Sequence, residues 1–383
     1  MLATGHVIKN EYALGRDDRT GATVHQLTGH ASTNHSLFFL NPSFRPPSPA
    51  DSAEVAFVTS RDGDPQICLF DFAAKSARVL TDVEGLMPFS PAFGPDGKHL
   101  YFTTGDGHVG RVAVESGRQE IVAATAGGQL GECGLSRDGR FIVTASRGDG
   151  LFSLVVVDIE AGSAETIHES EMQMIHAQFH PRDANFIEYA GHPMPRMWAI
   201  QRDGSDNRCL YGNEWHEFIV HESFLGDTDE MIFAVWPYRL TARNVRTGAM
   251  RTIAEINAWH MASNREGTLI ATDTNHPDRG LLLIDPRTGK QSVLCHPDAS
   301  SHGSQWRNDH PATPDAWTSK PGTETDVRVL SWMEMKVDTV YGPQWTHPHP
   351  AFDDSGSRVV YTSDASGEAQ VFVVEIDDGM MPE

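Results

Sequence analysis

The 383-residue chain contains no run of ~18 apolar residues, so no transmembrane helix is expected and no membrane partner is implied. Its opening stretch, MLATGHVIKNEYALGRDD, lacks a basic segment followed by an apolar one. No secretory signal is therefore expected, and the cytoplasm is the default compartment. Cysteine is scarce: Cys68, Cys133, Cys209 and Cys295 are far apart and form no CxxC pair. That pattern argues against a zinc–thiolate centre and predicts buried free thiols in a reducing environment. Basic residues are also in deficit, 30 Lys and Arg against 52 Asp and Glu, giving a net charge of −22. Nucleic acid is thereby excluded as a partner of the molecule as a whole. An acidic ligand would need a local pocket carrying its own positive charge. There is no GxSxG elbow, which disfavours a serine hydrolase.

What the chain does have is a repeat. Its length exceeds twice a typical domain of ~150 residues, yet one pattern recurs every roughly 40–50 residues. A short strand leads to a polar turn, then an apolar strand, then another. Examples are SPAFGPDGKHLYFTT from Ser90, ECGLSRDGRFIVTAS from Glu132 and HPAFDDSGSRVVYTSD from His349. The Asp-Gly and Ser-Gly turns suit tight hairpins, and strands such as LVVVDI, LLLIDP and VFVVEI suit sheets covered on both faces. Seven units begin near Asn41, Ser90, Glu132, His176, His221, His260 and His349. Seven such sheets arranged radially predict an all-β fold, a seven-bladed β-propeller spanning residues 1–383 as one domain. The last unit has about three strands, and ATVHQLT, residues 22–28, is expected to supply the missing outer strand and close the ring. The stretch at about 296–342, rich in Pro, Ser, Asp and His, is too long for an ordinary connection and reads as a loop excursion.

Aligning the first strand of each unit gives NPSF, SPAF, ECGL, HAQF, HESF, HMAS and HPAF. Four of the seven leading residues are histidine: His176, His221, His260 and His349. The innermost strand of a blade lines the central channel, so one phase of that strand forms a ring around the axis. A wet channel accepts any polar residue, which is the plain reading of a single histidine. Four in one register, with His347 two residues before His349 on the same strand side, point to a metal site. Gln344 can add a carbonyl oxygen. Nitrogen and amide oxygen without sulfur suit Mn²⁺ and also admit Zn²⁺, Fe²⁺ or Ni²⁺.

Three stretches carry a resemblance. GPQWTHPHPAF from Gly342 contains Gln344, His347, Pro348, His349 and Pro350 in a Gln-x-x-His-Pro-His-Pro pattern. WHMASNREGTLIATD from Trp259 has a His-Met-x-Ser-Asn-x-x-Gly strand ending in Asp, and Arg196-Met197-Trp198 is followed by His221-Glu222 at the head of the next unit. In these stretches the chain resembles the oligogalacturonate lyases. The resemblance implies a seven-bladed propeller in which His260, Gln344, His347 and His349 hold Mn²⁺. It further implies that Arg196 and His221 form the catalytic pair, with His221 as general base, and that the substrate is a short acidic oligosaccharide such as di- or trigalacturonate. The chain departs from the family pattern in a short TNHPDRG after the His260 strand and in the long 296–342 excursion, both at positions that would shape the channel mouth.

The chemistry so implied is β-elimination. A base removes the C5 proton of a uronate and the C4 oxygen leaves, while a cation on the carboxylate stabilises the enolate-like transition state. Histidine suits the base because its ordinary pKa lies near neutrality. Hydrolysis would favour two carboxylates across the scissile bond, and Glu132 stands alone in the ring. His176 is expected to bind substrate. The competing assignments are a surface Arg196 stacked on Trp198, a structural His221, and loop positions for His35, His302 and His310. Trp259, Trp306 and Trp345 are read either as sugar-stacking or as blade-packing residues. Two other functions fit the pattern: a lyase for another acidic glycan of glucuronan or ulvan type, and a non-catalytic propeller that binds a protein, which would leave the histidines unexplained.

Overall fold

Short β-branched strands joined by glycine turns leave each sheet apolar on both faces, and such sheets must pack face to face. The computed structural model describes residues 2–47, 53–125, 128–148, 150–192, 195–214, 217–275, 277–301 and 344–382. They form seven antiparallel sheets in chain order, the blades of a β-propeller. Blades 2, 4, 5 and 6 are four-stranded meanders, and blades 1, 3 and 7 carry a fifth strand. The innermost strands of blades 4 to 7 are Gln173–His180, Phe218–Phe224, Ala258–Ser263 and Ala351–Phe352. No helix among the described residues is long and apolar enough to cross a membrane.

Alternation along each strand sends successive side chains to opposite neighbours. In blade 1, Val55, Phe57, Cys68 and Phe70 pack against Val360, Val371 and Val373 of blade 7. The intervening Ala56, Val58, Ile67 and Leu69 pack against Leu100, Phe102 and Val112 of blade 2. The same arrangement repeats around the ring, so the core is divided into clusters between adjacent blades. The turns keep the spacing tight. Gly97 has φ +64°, and a Cβ there would lie 1.7 Å from the Pro46 carbonyl oxygen of blade 1.

The ring closes through the N-terminal segment. Thr23–Gln26 pairs antiparallel with Gln370–Glu375 in blade 7, Val24 opposite Val374. Ala13–Arg16 adds a further strand outside it, and Val7–Ile8 extends blade 1. Asp17, in the turn after Ala13–Arg16, accepts the His296 backbone N–H at 2.7 Å and so ties this closure to the end of blade 6.

Blade 1 departs from the sequence alignment. Its innermost strand is Asn34–Ser36, and Asn41 follows in a turn closed by its N–H to the Phe38 carbonyl. His35, read as a loop residue, is therefore buried in that strand. Of the cysteines, Cys68, Cys133 and Cys295 are buried free thiols, but Cys209 is exposed, because it lies on the outermost strand of blade 4. Most of the 296–342 stretch, with His302, His310 and Trp306, lies outside the described residues.

Candidate active site

The inner strands of blades 4, 5 and 6 share one irregularity. In blade 4, Ile175 pairs with Ala190 and Gln178 with Glu188, leaving His176 and Ala177 opposite Tyr189. In blade 5, His221 and Glu222 stand opposite Phe233, and in blade 6 Trp259 and His260 stand opposite Asp273. Each is a bulge, which bends the strand and re-aims its side chains. His176, His221 and His349 hold φ of 57°, 59° and 47°, a left-handed conformation that costs a non-glycine residue of order 1–3 kcal/mol. By register, the blade 6 counterpart of His176 and His221 is Trp259, and His260 sits one place later. The sequence column is thus out of phase by one residue in that blade, because the extra residue of a bulge is invisible to strand periodicity.

This shift brings His260 to a group of three buried imidazoles. Ligand nitrogens of His260, His347 and His349 all lie within 4.8 Å of one another. The Nε2 atoms of His260 and His349 are 3.0 Å apart. Asp273 fixes His260 from behind, accepting its backbone N–H at 2.5 Å and its Nδ1–H at 2.8 Å. The lone pair of His260 Nε2 therefore faces His349, the carboxylate–histidine arrangement typical of metal ligands. Burial, then the neighbouring histidines, holds His260 and His349 well below the usual histidine range, and burial pushes the Asp273 carboxyl up to about 7. Converging neutral imidazoles with a carboxylate behind them fit a divalent cation. His347 is the member that must adjust. Trp259 donates its Nε1–H to His347 Nδ1 at 3.2 Å. Ligation through Nδ1 displaces that bond, and ligation through Nε2 puts a proton on Nδ1 facing the same donor.

Next to this group stands His221, its ring centroid 4.1 Å from that of His260. Its Nδ1–H donates to the Trp259 carbonyl at 2.6 Å, which leaves the lone pair on Nε2. Burial, then its neighbours His260, His176 and Arg196, keeps His221 well below the ordinary histidine pKa. Arg196 is not a surface residue on Trp198: it is buried and makes a two-pronged ion pair with Glu222, Nε to Oε1 at 2.7 Å and Nη2 to Oε2 at 3.1 Å. Beneath them, Glu188 is fully buried, and burial together with the Glu222 charge raises its pKa well above the carboxylate range.

His176 lies in the same channel, its Nδ1 2.5 Å from Glu132 Oε1 of blade 3. An apolar wall faces the histidines. Phe38 stacks on His176 at 5.2 Å, and Phe39 meets His176, His221, His260 and His349 at 5.9, 5.3, 5.5 and 6.3 Å. Phe89 and Trp345 pack against the same pair. Trp259 is a packing residue, buried against Trp236 at 5.5 Å.

The structure thus gathers His176, Arg196, His221, His260, His347 and His349 around one channel. Gln344 begins a 3-10 turn at Gln344–Thr346, and its side chain lies outside the described residues. Sequence reasoning gave no role to Asp273, Glu222, Glu132, Phe38 or Phe39. Asp273 and Glu222 were visible within the quoted motifs. Adjacent phenylalanines before a turn gave no comparable signal.

No family model matches the chain. Among curated proteins, it is 23% identical to an oligogalacturonide lyase of Pectobacterium atrosepticum, covering 99% of this chain and 100% of the relative. It is also 23% identical to an oligogalacturonate lyase of Dickeya dadantii, over 80% of this chain and 88% of the relative. Among solved structures, an oligogalacturonate lyase in complex with manganese superposes with a TM-score of 0.79 at 20% identity, covering 99% of this chain and 100% of that one. An oligogalacturonate lyase from Vibrio parahaemolyticus gives 0.78 at 19% identity with the same coverage. The resemblance carried by the motifs therefore extends along nearly the whole chain, and the seven-bladed fold is common to them.

Proposed function

We propose that this chain is a divalent-metal-dependent lyase that cleaves short oligogalacturonides by β-elimination, giving products with an unsaturated uronate end. The observation that carries the reading is His221. Its tautomer is set by the Trp259 carbonyl, so its Nε2 presents a lone pair beside three converging imidazoles. That is a base next to a cation site, the pairing that abstraction of a proton α to a carboxylate requires.

His260, His347 and His349, with Gln344 as a fourth ligand, would hold the cation, and we assign it as Mn²⁺ on the donor types and on the manganese complex of the similar structure. When bound, the ion supplies Lewis-acid stabilisation of negative charge spreading into the uronate carboxylate. It also meets an electrostatic need. Arg196 is neutralised by Glu222, and burial holds His221, His260 and His349 well below the ordinary histidine range. In a protein of net charge −22, a divalent cation is the surplus positive charge that an acidic sugar requires.

The remaining steps belong to the chain's own residues. Arg196, held rigid by both oxygens of Glu222, orients the substrate carboxylate. His221 Nε2 takes the C5 proton, and its Nδ1–H bond to Trp259 steadies the imidazolium that results. Phe38 and Phe39 keep water from one side of the ring, which strengthens each electrostatic contact within it. His176 contacts the sugar.

Mixing the Mn²⁺-loaded protein with digalacturonate or trigalacturonate should raise the ultraviolet absorbance as the conjugated double bond forms, and excess chelator should abolish the rise. No rise in protein of confirmed metal content would overturn the reading. A rise with glucuronan oligomers alone would move the substrate to another acidic glycan.

A further inference from the structure

We propose that His176, oriented by Glu132, is the acid that protonates the departing C4 oxygen; this deepens the lyase reading and rests on it. The need for a second group follows from the substrate. In the chair form of a galacturonate ring, the C5 hydrogen and the C4 oxygen are both axial and lie on opposite faces. Elimination is therefore anti, and the side chain that removes the proton cannot also reach the leaving oxygen. A sugar alkoxide is a poor leaving group and needs a proton as the C4–O bond breaks.

Among the described residues, few groups around the channel can supply it. The guanidinium of Arg196 keeps its protons at any working pH and is engaged by Glu222. Burial and the Glu222 charge raise the Glu188 carboxyl well above the carboxylate range, but Glu188 is wholly buried and presents no proton to a substrate. His35 donates Nδ1–H to the Ser36 carbonyl, and burial pushes its pKa down to about 4, so it has no second proton near neutrality. His260, His347 and His349 form the cation site. His176 remains, and its surroundings are those of an acid. Glu132 Oε1 sits 2.5 Å from Nδ1 and compensates a charged ring. Nε2 has no hydrogen-bond partner among the described residues, so it is the atom from which a proton can leave. The residue occupies the first position of the blade 4 bulge at φ 57°, a costly conformation whose effect is to aim the ring into the channel. His176 and His221 both lie against Phe39, at 5.9 and 5.3 Å, yet make no ring contact with each other. They are two separate groups facing one space.

The step balances. The C5–H electron pair becomes the C4–C5 double bond, and the C5 proton goes to His221 Nε2. The C4–O bond breaks with its electron pair on oxygen, which takes the proton from His176 Nε2. Exchange with solvent returns a proton to His176 and removes one from His221, so no net proton is consumed. In this scheme His176 is a catalytic residue and Glu132 a positioning residue.

The test compares leaving groups in the Mn²⁺-loaded protein. One substrate is digalacturonate; the other is a methyl galactosiduronate carrying a 2,4-dinitrophenyl ether at C4, whose phenolate departs without an acid. The variant is His176→Asn, because asparagine tolerates the left-handed backbone and does not act as an acid. We expect kcat on digalacturonate to fall by about 10²-fold or more, with the rate on the dinitrophenyl ether and the metal content kept near wild type. Glu132→Gln should show the same pattern with a smaller loss, and it provides a second reading should His176→Asn fold poorly. Equal losses on both substrates, or an undiminished rate on digalacturonate, would overturn the assignment. Metal-loaded wild type inert toward both substrates would overturn the lyase reading itself and the assignment with it.

Discussion

The two arcs of the channel are built on the same strand plan and have opposite chemistry. Blades 4 to 7 contribute His176, His221, His260, His347 and His349, together with Arg196 on blade 4 and Asp273 on blade 6. Blades 1 to 3 contribute Phe38, Phe39, Phe89, one carboxylate, Glu132, and a single buried histidine, His35, against Phe89 at 4.7 Å. A propeller need not use its symmetry. Strained bulges concentrate the polar groups on one arc, and the other arc furnishes an apolar wall that lowers the dielectric where charge moves. The cost is visible at three positive-φ histidines, a strain that the seven clusters packed between blades absorb.

Substitutions on each arc should therefore differ in kind. The largest effect is expected from His221→Asn, which respects the backbone but removes the proposed base. Turnover should fall by about 10²–10⁴-fold with metal content unchanged by atomic spectroscopy; metal loss would instead move His221 into the ligand set. His349→Asn should lose the metal and with it activity, while Asp273→Asn should weaken metal affinity by about 10–100-fold in a competition titration. Full occupancy in His349→Asn would sink the proposed coordination. On the wall, Phe39→Ala should lower unfolding free energy by about 3–5 kcal/mol in denaturant titrations, yet leave the metal bound and reduce kcat far less than His221→Asn. A drop in kcat as large as that of His221→Asn would erase the distinction between the arcs.

The smallest effect lies at the closure, remote from both arcs. Burial alone would raise Asp17, but the backbone N–H groups of His296, Thr20 and Arg19 and the Thr20 hydroxyl outweigh it and hold its pKa at about 2. Because the folded value lies below the ordinary 3.8, its contribution is present above that value and lost as pH falls toward 2. Asp17→Asn should cost about 1 kcal/mol near neutrality, a figure reduced by solvent screening. The thermal melting difference from wild type should vanish below pH about 2; a gap that persists there would mean the side chain acts through shape rather than charge.

Much of this was legible in the sequence because it is periodic. Glycine turns and alternating strands announced the blades, and Thr23–Gln26 announced the closure. The histidines on four inner strands announced the polar arc. What periodicity could not show was phase. A bulge adds one residue to one strand, so the shift that places Trp259 rather than His260 opposite the blade 4 and 5 histidines leaves no trace in the pattern. Nor could it show pairings between blades. Glu132 with His176, 44 residues apart, meets only because adjacent inner strands converge on the axis. Arg196, at the entry to the third strand of blade 4, and Glu222, on the inner strand of blade 5, are 26 residues apart and likewise pair across two blades.

The most direct test of the account is where water goes. Digalacturonate cleaved by the Mn²⁺-loaded protein in H₂¹⁸O, with the products weighed by mass spectrometry, separates elimination from hydrolysis. The account predicts one saturated and one unsaturated monomer, whose masses sum to that of the substrate, with no ¹⁸O at the cleaved bond. Two saturated monomers, one of them carrying ¹⁸O, would mean that the histidine arc activates water, and would contradict it.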